Sequence, residues 1–346
     1  MALVAIVAAW ASAYAADLPH RANAPKETYP GVEVRYDTLR DASGQRLRMI
    51  LTHPKEGGPR FATVFIVGWL SCDSVEAPPG TRDASQLMIQ AVIRAPGFAT
   101  VRMDKPGVGD SEGDCARTDF VTELADYRQA FQSARALAFV DPERIFLFGM
   151  SNGGGFAPLV PQGAPVRGYI VVGGWIKTWY EHMLEIERRR LSLQGQPASG
   201  MNSLLKREER LYSAFLLDRR SPREIFERQP ELKSLWEGEP DQQYGRPVTY
   251  YQQLQDLDLM AAWSGVKVPA LVMHGEFDWI MSRADLELMA SIVNEGSAGA
   301  AEFVELPHTG HTFEHYASQQ AAFAGDRLPF EAGLADKVTG WLASHR

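Results

Sequence analysis

The chain has 346 residues, 45% of them hydrophobic, and a formal net charge of −8. This length and apolar content suffice for one large core that carries an inserted subdomain. No basic tract recurs along this acidic chain, so nucleic acid is not expected as a partner. Two cysteines permit one disulfide, but composition alone does not show whether they are close enough to pair.

The N-terminus is an uncharged apolar run that ends in the small residues Ala13-Tyr14-Ala15. This pattern predicts a signal peptide over residues 1–16, although no Lys or Arg precedes the apolar run. The run is shorter than the roughly 20 apolar residues that cross a bilayer. We therefore expect a secreted or periplasmic protein with no stable membrane anchor after signal removal. A short membrane-associated or buried N-terminal segment is the alternative.

Residues 19–30 are polar and contain prolines, and we expect them to form an ordered arm or a linker. Two kinds of predicted strand follow this segment. Residues 32–36 and 46–51 alternate between apolar and polar side chains, which predicts a half-buried hairpin at a sheet edge. Later runs are almost continuously apolar, as in strands that are covered on both faces. These runs are residues 62–67, 99–103, 145–148, 169–172 and 270–273.

Apolar residues at helical spacing separate these runs and predict helices at residues 84–94, 120–139 and 330–344. Alternation of buried strands with helices is typical of the α/β class. The predicted architecture is an open, mostly parallel sheet with flanking helices.

Residues 175–263 break this alternation, because they contain helical segments and no convincing buried strand. One helix start is marked by the capping box Ser221-Pro222-Arg223-Glu224. We predict an inserted helical cap over the carboxyl edge of the sheet, with residues 17–174 and 264–346 forming the core. The run Arg188-Arg189-Arg190 predicts a solvated helix face rather than an anion site. Cap aromatics that could line a pocket, although most are expected to pack the cap onto the core, are Trp175, Trp179, Tyr180, Tyr212, Phe215, Trp236, Tyr250 and Tyr251.

The stretch Gly149-Met150-Ser151-Asn152-Gly153 follows an apolar run and continues into further glycines. It predicts a strand that turns sharply into a helix, with Ser151 in strained backbone at the apex. A serine hydroxyl is a poor nucleophile at neutral pH, so a catalytic role requires a histidine base and a carboxylate to orient it. On the motif alone, a glycine-rich structural turn is the alternative.

Candidates for both partners lie downstream, each directly after a predicted strand. Asp278 follows the glycine turn after residues 270–273, and His311 follows the strand at residues 303–306. Catalytic groups of open α/β sheets lie in loops beyond the carboxyl ends of the strands. Ser151, Asp278 and His311 are therefore expected to meet.

In this order the motifs resemble those of α/β-hydrolase fold serine hydrolases. The matching residues are the elbow around Ser151, the loop Gly275-Glu276-Phe277-Asp278 and the pair Gly310-His311. The glycine-rich turn at residues 104–113 is also similar to a turn that such enzymes carry. The resemblance implies that Ser151 is the nucleophile, His311 the general base and then acid, and Asp278 the orienting carboxylate.

The resemblance also implies an oxyanion hole with two backbone N–H donors. One is expected from Asn152 and the other from Trp69, with Leu70 as the alternative, because Gly68-Trp69-Leu70 stands where the family carries a His-Gly-x turn. The family pattern places the base after a glycine, which favours His311 over His308. Asp104 is expected to hold its Pro-Gly-x-Gly turn rather than to act as the triad acid.

The implied reaction is acyl transfer to water through an acyl-enzyme, with a carboxylic ester as the expected bond by analogy. A serine peptidase or amidase is the alternative, since Ser-Asn-Gly-Gly at the elbow is similar to the prolyl oligopeptidase group. The turn at residues 104–111 likewise resembles that of X-Pro dipeptidyl peptidases and their acyl-esterase relatives. No metal or organic cofactor is implied, and the expected partner is a small or medium acyl ester or amide. The sequence does not give the oligomeric state.

Two further functional classes compete with this reading. The segment His311-Thr312-Phe313-Glu314-His315 matches the inverted zinc-peptidase motif, which requires a helix through both histidines and a third ligand. A non-catalytic relative that acts as a binding module is the other class.

Cys72 and Cys115 each follow a loop at the expected active-site edge of the sheet. We predict a disulfide between them that rigidifies the oxyanion loop. Two buried thiols are the alternative.

Overall fold

The structure is a computed structural model in which residues 26–346 are described. The predicted signal peptide, residues 1–16, lies outside the described residues. Within residues 26–346, no helix is both long enough and apolar enough to span a bilayer.

One eight-stranded sheet organises the molecule, and its strand order is β1-β2-β4-β3-β5-β6-β9-β10. The pairs β1–β2 and β2–β4 are antiparallel, and all other neighbours in this sheet are parallel. Two very short strands, β7 and β8, pair separately. The strands are β1 (Val32–Arg40), β2 (Arg46–Pro54), β3 (Phe61–Val67), β4 (Phe98–Met103), β5 (Val140–Met150), β6 (Gly168–Val172), β7 (Gln242–Gln243), β8 (Arg246–Pro247), β9 (Ala270–Gly275) and β10 (Ala301–Leu306).

Helices cover both faces of the sheet and the carboxyl ends of its parallel strands. They are α1 (Ala84–Ile93), α2 (Phe120–Arg135), α3 (Asn152–Phe156), α4 (Trp179–Leu193), α5 (Ala198–Tyr212), α6 (Pro222–Arg228), α7 (Val248–Gln255), α8 (Leu259–Ser264), α9 (Arg283–Gly296), α10 (Gln319–Ala324) and α11 (Ala332–His345).

Alternate side chains of each central strand enter two separate apolar cores. In β3, Phe65 and Val67 pack on the face that α2 and α9 cover, whereas Val64 and Ile66 pack on the face that α1 and α11 cover. Side chains of a strand point to opposite faces with a period of two, so a strand covered on both faces is apolar throughout. The predicted α/β class with a mostly parallel sheet is confirmed.

Three local predictions need correction or extension. β2 is not a half-buried edge strand, because β1 and β4 flank it and its central residues are buried. The helix that was predicted to reach residue 139 ends at Arg135, since Ala136 begins a turn that leads into β5. The end of the polar lead is an ordered arm, because Glu27 accepts hydrogen bonds of 2.5 and 2.8 Å from the buried guanidinium of Arg102.

Between β6 and β9 the chain forms α4 to α8 and the small β7–β8 pair. These helices lie against the turn that begins α3. For example, Trp263 Nε1 donates a 2.9 Å hydrogen bond to the carbonyl of Gly155. The segment is thus helical at the predicted place, while its treatment as a separate cap of residues 175–263 stays a prediction.

Candidate active site

Ser151 lies in the sharp turn between β5 and α3, with backbone dihedrals φ 56° and ψ −126°. A non-glycine residue at positive φ is strained and persists only where its surroundings impose it. Close packing imposes it here. A Cβ on Gly149 would lie 2.7 Å from the carbonyl oxygen of Gly153, and a Cβ on Gly153 would lie 2.3 Å from that of Gly68.

The structure brings the predicted triad residues together as one hydrogen-bonded chain. His311 Nε2 lies 2.7 Å from Ser151 Oγ, and His311 Nδ1 lies 2.8 Å from Asp278 Oδ2. The other carboxylate oxygen of Asp278 accepts 2.9 Å hydrogen bonds from the N–H groups of Ile280 and Met281. An ionised carboxylate can only accept, so Nδ1 carries the ring proton and Nε2 is free to accept from the serine hydroxyl.

The charges of this pair support each other despite burial. Burial disfavours the ionised form of Asp278, but the charge and hydrogen bond of His311 outweigh it and hold the pKa below its usual value. For His311, burial disfavours the imidazolium, while the charge and hydrogen bond of Asp278 raise the pKa above 6.5. The ring is therefore a stronger base than free imidazole, as a proton acceptor for Ser151 needs to be.

The loop opposite the elbow is held by a buried cation. The ammonium group of Lys105 donates to the carbonyls of Trp69, Leu70 and Ser71, the last two at 3.3 and 3.1 Å. In a trans peptide the N–H points away from the preceding carbonyl, so these bonds fix the direction of the Leu70 and Ser71 N–H groups. Burial lowers the pKa of Lys105 to about 8.

The predicted disulfide between Cys72 and Cys115 is present, and it joins the end of this loop to the segment after the residue 104–113 turn. The buried guanidinium of Arg246 donates to the carbonyl of Cys115 at 3.2 Å and is paired with the carboxylate of Glu123. Glu123 also lies 3.5 Å from Lys105. A buried network of charges thus ties the helical segment to the predicted oxyanion loop.

Asn152, the residue after the predicted nucleophile, is fixed from the helical segment. Its side-chain amide donates to the Tyr250 hydroxyl at 2.9 Å, and its side-chain oxygen accepts from Trp175 Nε1 at 2.9 Å. Both aromatic side chains are fully buried. The helices therefore hold the very residue whose backbone N–H was predicted to stabilise an oxyanion.

A cavity of about 700 Å³ opens in front of Ser151. This volume lies within the range of about 300–1,000 Å³ that is usual for small-molecule sites. Of the eight aromatic residues named from the sequence, Trp179 lines the cavity, and the other seven belong to the apolar core or pack against it. Three further aromatic residues lie in the wall: Trp69, which the sequence singled out as an oxyanion donor, and Tyr244 and Trp279, which it did not single out.

The competing residues occupy other places. His308 is largely exposed and lies 4.0 Å from Glu276. Asp104 is buried, pairs with Arg48, and accepts from Ser74 Oγ and Val75 N at 2.8 and 3.0 Å. These bonds hold the segment at residues 74–75, and the role of Asp104 in its own turn stays a prediction.

The zinc motif does not have the geometry that it requires. The segment from His311 to His315 is a turn and not a helix. Among residues 26–346, no group of three or more His, Cys, Asp and Glu side chains is placed to hold a metal ion. The interpretation of residues 311–315 as an inverted zinc-peptidase site therefore lacks its structural basis.

The prediction of a solvated face at Arg188-Arg189-Arg190 holds for Arg188 alone. Arg189 donates to the carbonyls of Trp279 and Ile280 at 2.8 and 2.7 Å, beside Asp278. Arg190 pairs with Glu187 at 2.5 Å in the wall of the cavity. A sequence run of like charges does not show which members meet carbonyls or carboxylates from distant segments.

Comparison with known proteins places the chain in a family. Residues 64–326 match the model of the alpha/beta hydrolase family, which is most of the chain. The chain belongs to this family, and it is a hydrolase. A search of curated proteins gave no significant match.

Solved structures share the fold at low sequence identity. A hypothetical protein from Pseudomonas aeruginosa is 16% identical, with a TM-score of 0.56 over 95% of this chain and 99% of its own. Est1E from Butyrivibrio proteoclasticus with bound ferulic acid is 16% identical, with a TM-score of 0.56 over 90% of this chain and 98% of its own. The esterase domain of a Rhodothermus marinus protein is 15% identical, with a TM-score of 0.51 over 89% of this chain and 97% of its own. At such identity these likenesses establish the fold alone.

Proposed function

We propose that this hydrolase cleaves carboxylic esters by a serine mechanism in which Ser151, His311 and Asp278 act as a triad. The observation that carries the proposal is the chain of hydrogen bonds from Asp278 through His311 to Ser151, with distances of 2.8 and 2.7 Å. The strained backbone of Ser151 and the cavity in front of its hydroxyl support the same assignment.

In the proposed reaction, Nε2 of neutral His311 accepts the proton of Ser151 as Oγ attacks the ester carbonyl. Asp278 keeps Nδ1 protonated and stabilises the imidazolium that forms. The N–H groups of Asn152 and Trp69 receive the negative oxygen, with Leu70 as the alternative to Trp69. His311 then protonates the departing alcohol, and a water molecule, deprotonated by the same ring, hydrolyses the acyl-enzyme.

Two properties of the site favour a small or medium soluble substrate. The cavity is of small-molecule size, and the helical segment covers it, so a broad lipid surface does not reach Ser151 directly. Long-chain triglyceride emulsions should therefore be turned over more slowly than soluble short-chain esters. The disulfide between Cys72 and Cys115 supports export to an oxidising compartment, which is proposed on that basis.

The deciding experiment compares wild type with Ser151→Ala on a p-nitrophenyl butyrate and on an aminoacyl p-nitroanilide. We expect ester turnover to fall by about 10⁴-fold or more in the variant, because the nucleophile is lost. A fluorophosphonate probe should label wild type only. Ser203 is exposed, so Ser203→Ala is a matched control that should keep both ester turnover and probe labelling.

Three outcomes would change the assignment. Preferential turnover of the anilide would move the protein to the peptidases. Ester turnover that survives in Ser151→Ala would show that the elbow is a structural turn. Loss of that residual activity with a zinc chelator would then indicate metal-dependent chemistry.

A further inference from the structure

One face of helix α4 forms the wall of the cavity opposite the sheet. Its cavity residues recur at spacings of three and four, so they lie on a single stripe of the helix. From its first to its last member, 11 residue steps along the helix, this stripe is about 16 Å long. It is apolar at its start and charged at its end, and its members are Trp179, His182, Met183, Ile186, Glu187 and Arg190.

Two polar groups lie in the apolar part of this stripe: the ring of His182, and the indole N–H of Trp179, which has no hydrogen-bond partner among residues 26–346. The ring centroid of His182 lies 4.7 Å from that of Trp179 and 6.4 Å from that of Trp175, and the His182 side chain is 3% exposed. Within residues 26–346, neither ring nitrogen hydrogen-bonds a protein atom, and the ring is not completely enclosed, because the residue lines the cavity. Polar groups in folded proteins are normally paired, so a ring nitrogen that faces a cavity without a protein partner is available to a bound molecule.

The ring lines the same cavity as Ser151 and His311, and its neighbours are held in place. Trp175, which it contacts, donates to the side chain of Asn152, and Asn152 adjoins Ser151. Arg189, on the same helix, bonds the carbonyls that follow Asp278. A group fixed from two sides in this way is preorganised to bind without further ordering.

The ring is neutral at physiological pH. Burial, with the charges of Arg189 and His311, lowers the pKa of His182 to about 3. A neutral imidazole offers one donor and one acceptor and no charge. It therefore suits an uncharged hydrogen-bonding group and gives no advantage to a carboxylate or an ammonium ion.

We propose that His182 is a specificity-determining residue that hydrogen-bonds an uncharged polar group of the substrate, a hydroxyl or a carbonyl within a few atoms of the scissile ester. This inference rests on the proposed esterase function and names the substrate class within it. Met183, Ile186 and the apolar surface of the Trp179 ring would contact the hydrocarbon part of the same substrate.

The test uses pairs of esters that differ only in the polar group. On the acyl side the pairs are p-nitrophenyl 3-hydroxybutanoate against butanoate and p-nitrophenyl 4-oxopentanoate against pentanoate. On the alcohol side the pair is 2-hydroxyethyl acetate against propyl acetate, followed by acid release. Wild type should favour the polar member of at least one pair by about tenfold in kcat/KM, since a site with an unpaired polar group discriminates against ligands that cannot pair with it.

The variants assign that preference to the ring. His182→Phe keeps an aromatic ring but removes both nitrogens, so the preference should disappear while turnover of the alkyl ester stays within about threefold. His182→Asn and His182→Gln retain a donor and an acceptor, and one of them should restore part of the preference. Arg188→Gln, an exposed change on the same helix, should leave every ratio as in wild type.

Two results would overturn the inference alone. One is equal turnover of polar and alkyl esters by wild type in all pairs. The other is a preference for the polar ester that persists in His182→Phe. If His182→Phe does not fold, the same conclusion follows when His182→Asn, His182→Gln and wild type show the same preference and the same KM. If wild type turns over no ester, the proposed function fails and this inference fails with it.

Discussion

The loops that carry the proposed triad and the helices that cover them are held by different means. Backbone contacts hold the loops. Ser151 N donates to the carbonyl of Val172 at 2.9 Å, and Glu276 N donates to that of Leu306 at 2.9 Å, directly beyond the strand ends.

Side chains hold the helices. Arg246 of the helical segment pairs with Glu123 of helix α2, and Tyr250 and Trp175 hydrogen-bond the side chain of Asn152. The position of a loop that carries a proposed triad residue thus follows from the sheet, whereas the position of the covering helices depends on a few buried polar pairs. We therefore expect substitutions in the triad loops to lower activity and substitutions in the covering helices to lower the free energy of unfolding.

The largest expected effect is on chemistry without loss of fold. In Asp278→Asn the amide can donate to His311 Nδ1, which places the ring proton on Nε2, where it can no longer accept from Ser151. We expect kcat to fall by about 10⁴-fold, while the unfolding midpoint changes little. Steady-state kinetics with a thermal melt measures both, and the exposed Asp336→Asn serves as the control.

A change of less than tenfold in kcat for Asp278→Asn would contradict the role of Asp278. A loss of activity that matched a loss of folded protein would instead show that the carboxylate is needed for structure.

The second prediction acts on the cover and lowers stability. Arg246→Met leaves the carboxylate of Glu123 buried with Lys105 at 3.5 Å as its remaining cation. Removal of one partner of a buried pair costs about 3–5 kcal/mol, and we expect the low end because of Lys105. Urea unfolding at pH 7 measures the free energy of unfolding.

The matched control breaks an exposed ion pair in the same helical segment. Arg219 and Asp256 have side chains that are 44% and 58% exposed, so Arg219→Met should cost at most about 1 kcal/mol. Equal losses in Arg219→Met and Arg246→Met would show that burial of the charge network does not hold the cover.

The same contrast explains what the sequence could predict. The sequence predicts that Ser151, Asp278 and His311 meet, because each lies in a short local pattern after an apolar strand and the topology of parallel strands brings such loops to one edge. Their mutual hydrogen bonds then follow from backbone positions that glycines and strand ends dictate. The buried strands were found for a related reason, since burial on both faces makes every residue apolar.

The contacts of the cover left no such local signal. Arg246 and Glu123 are 123 positions apart, and neither sits in a motif that names its partner. His182 belongs to a stripe of residues at helical spacing. That spacing indicates an amphipathic helix, but it does not show whether the stripe faces a cavity or a core. The run at residues 188–190 was misjudged for the same reason, because its partners are carbonyls and carboxylates of other segments.

The smallest expected effect tests how the two parts meet, through the pH dependence of kcat/KM. His311 must be neutral to act as a base, and its pKa is raised, so activity should fall as the pH drops through a value above 6.5. At the other limb, the cation of Lys105 holds three loop carbonyls and has a pKa of about 8. Loss of its proton removes one donor, so activity should decline by about fivefold to tenfold as the pH rises through 8.

The variant Lys105→Met separates the two limbs of this profile. It should lower kcat/KM at every pH and abolish the alkaline decline, but it should keep the acid limb, because His311 and Asp278 are untouched. An exposed lysine on helix α11, changed in Lys337→Met, should leave both limbs in place. An alkaline decline that persists in Lys105→Met would mean that another group titrates in that pH range. The contacts that connect the covering helices to the predicted oxyanion loop would then be the disulfide and Arg246 rather than Lys105.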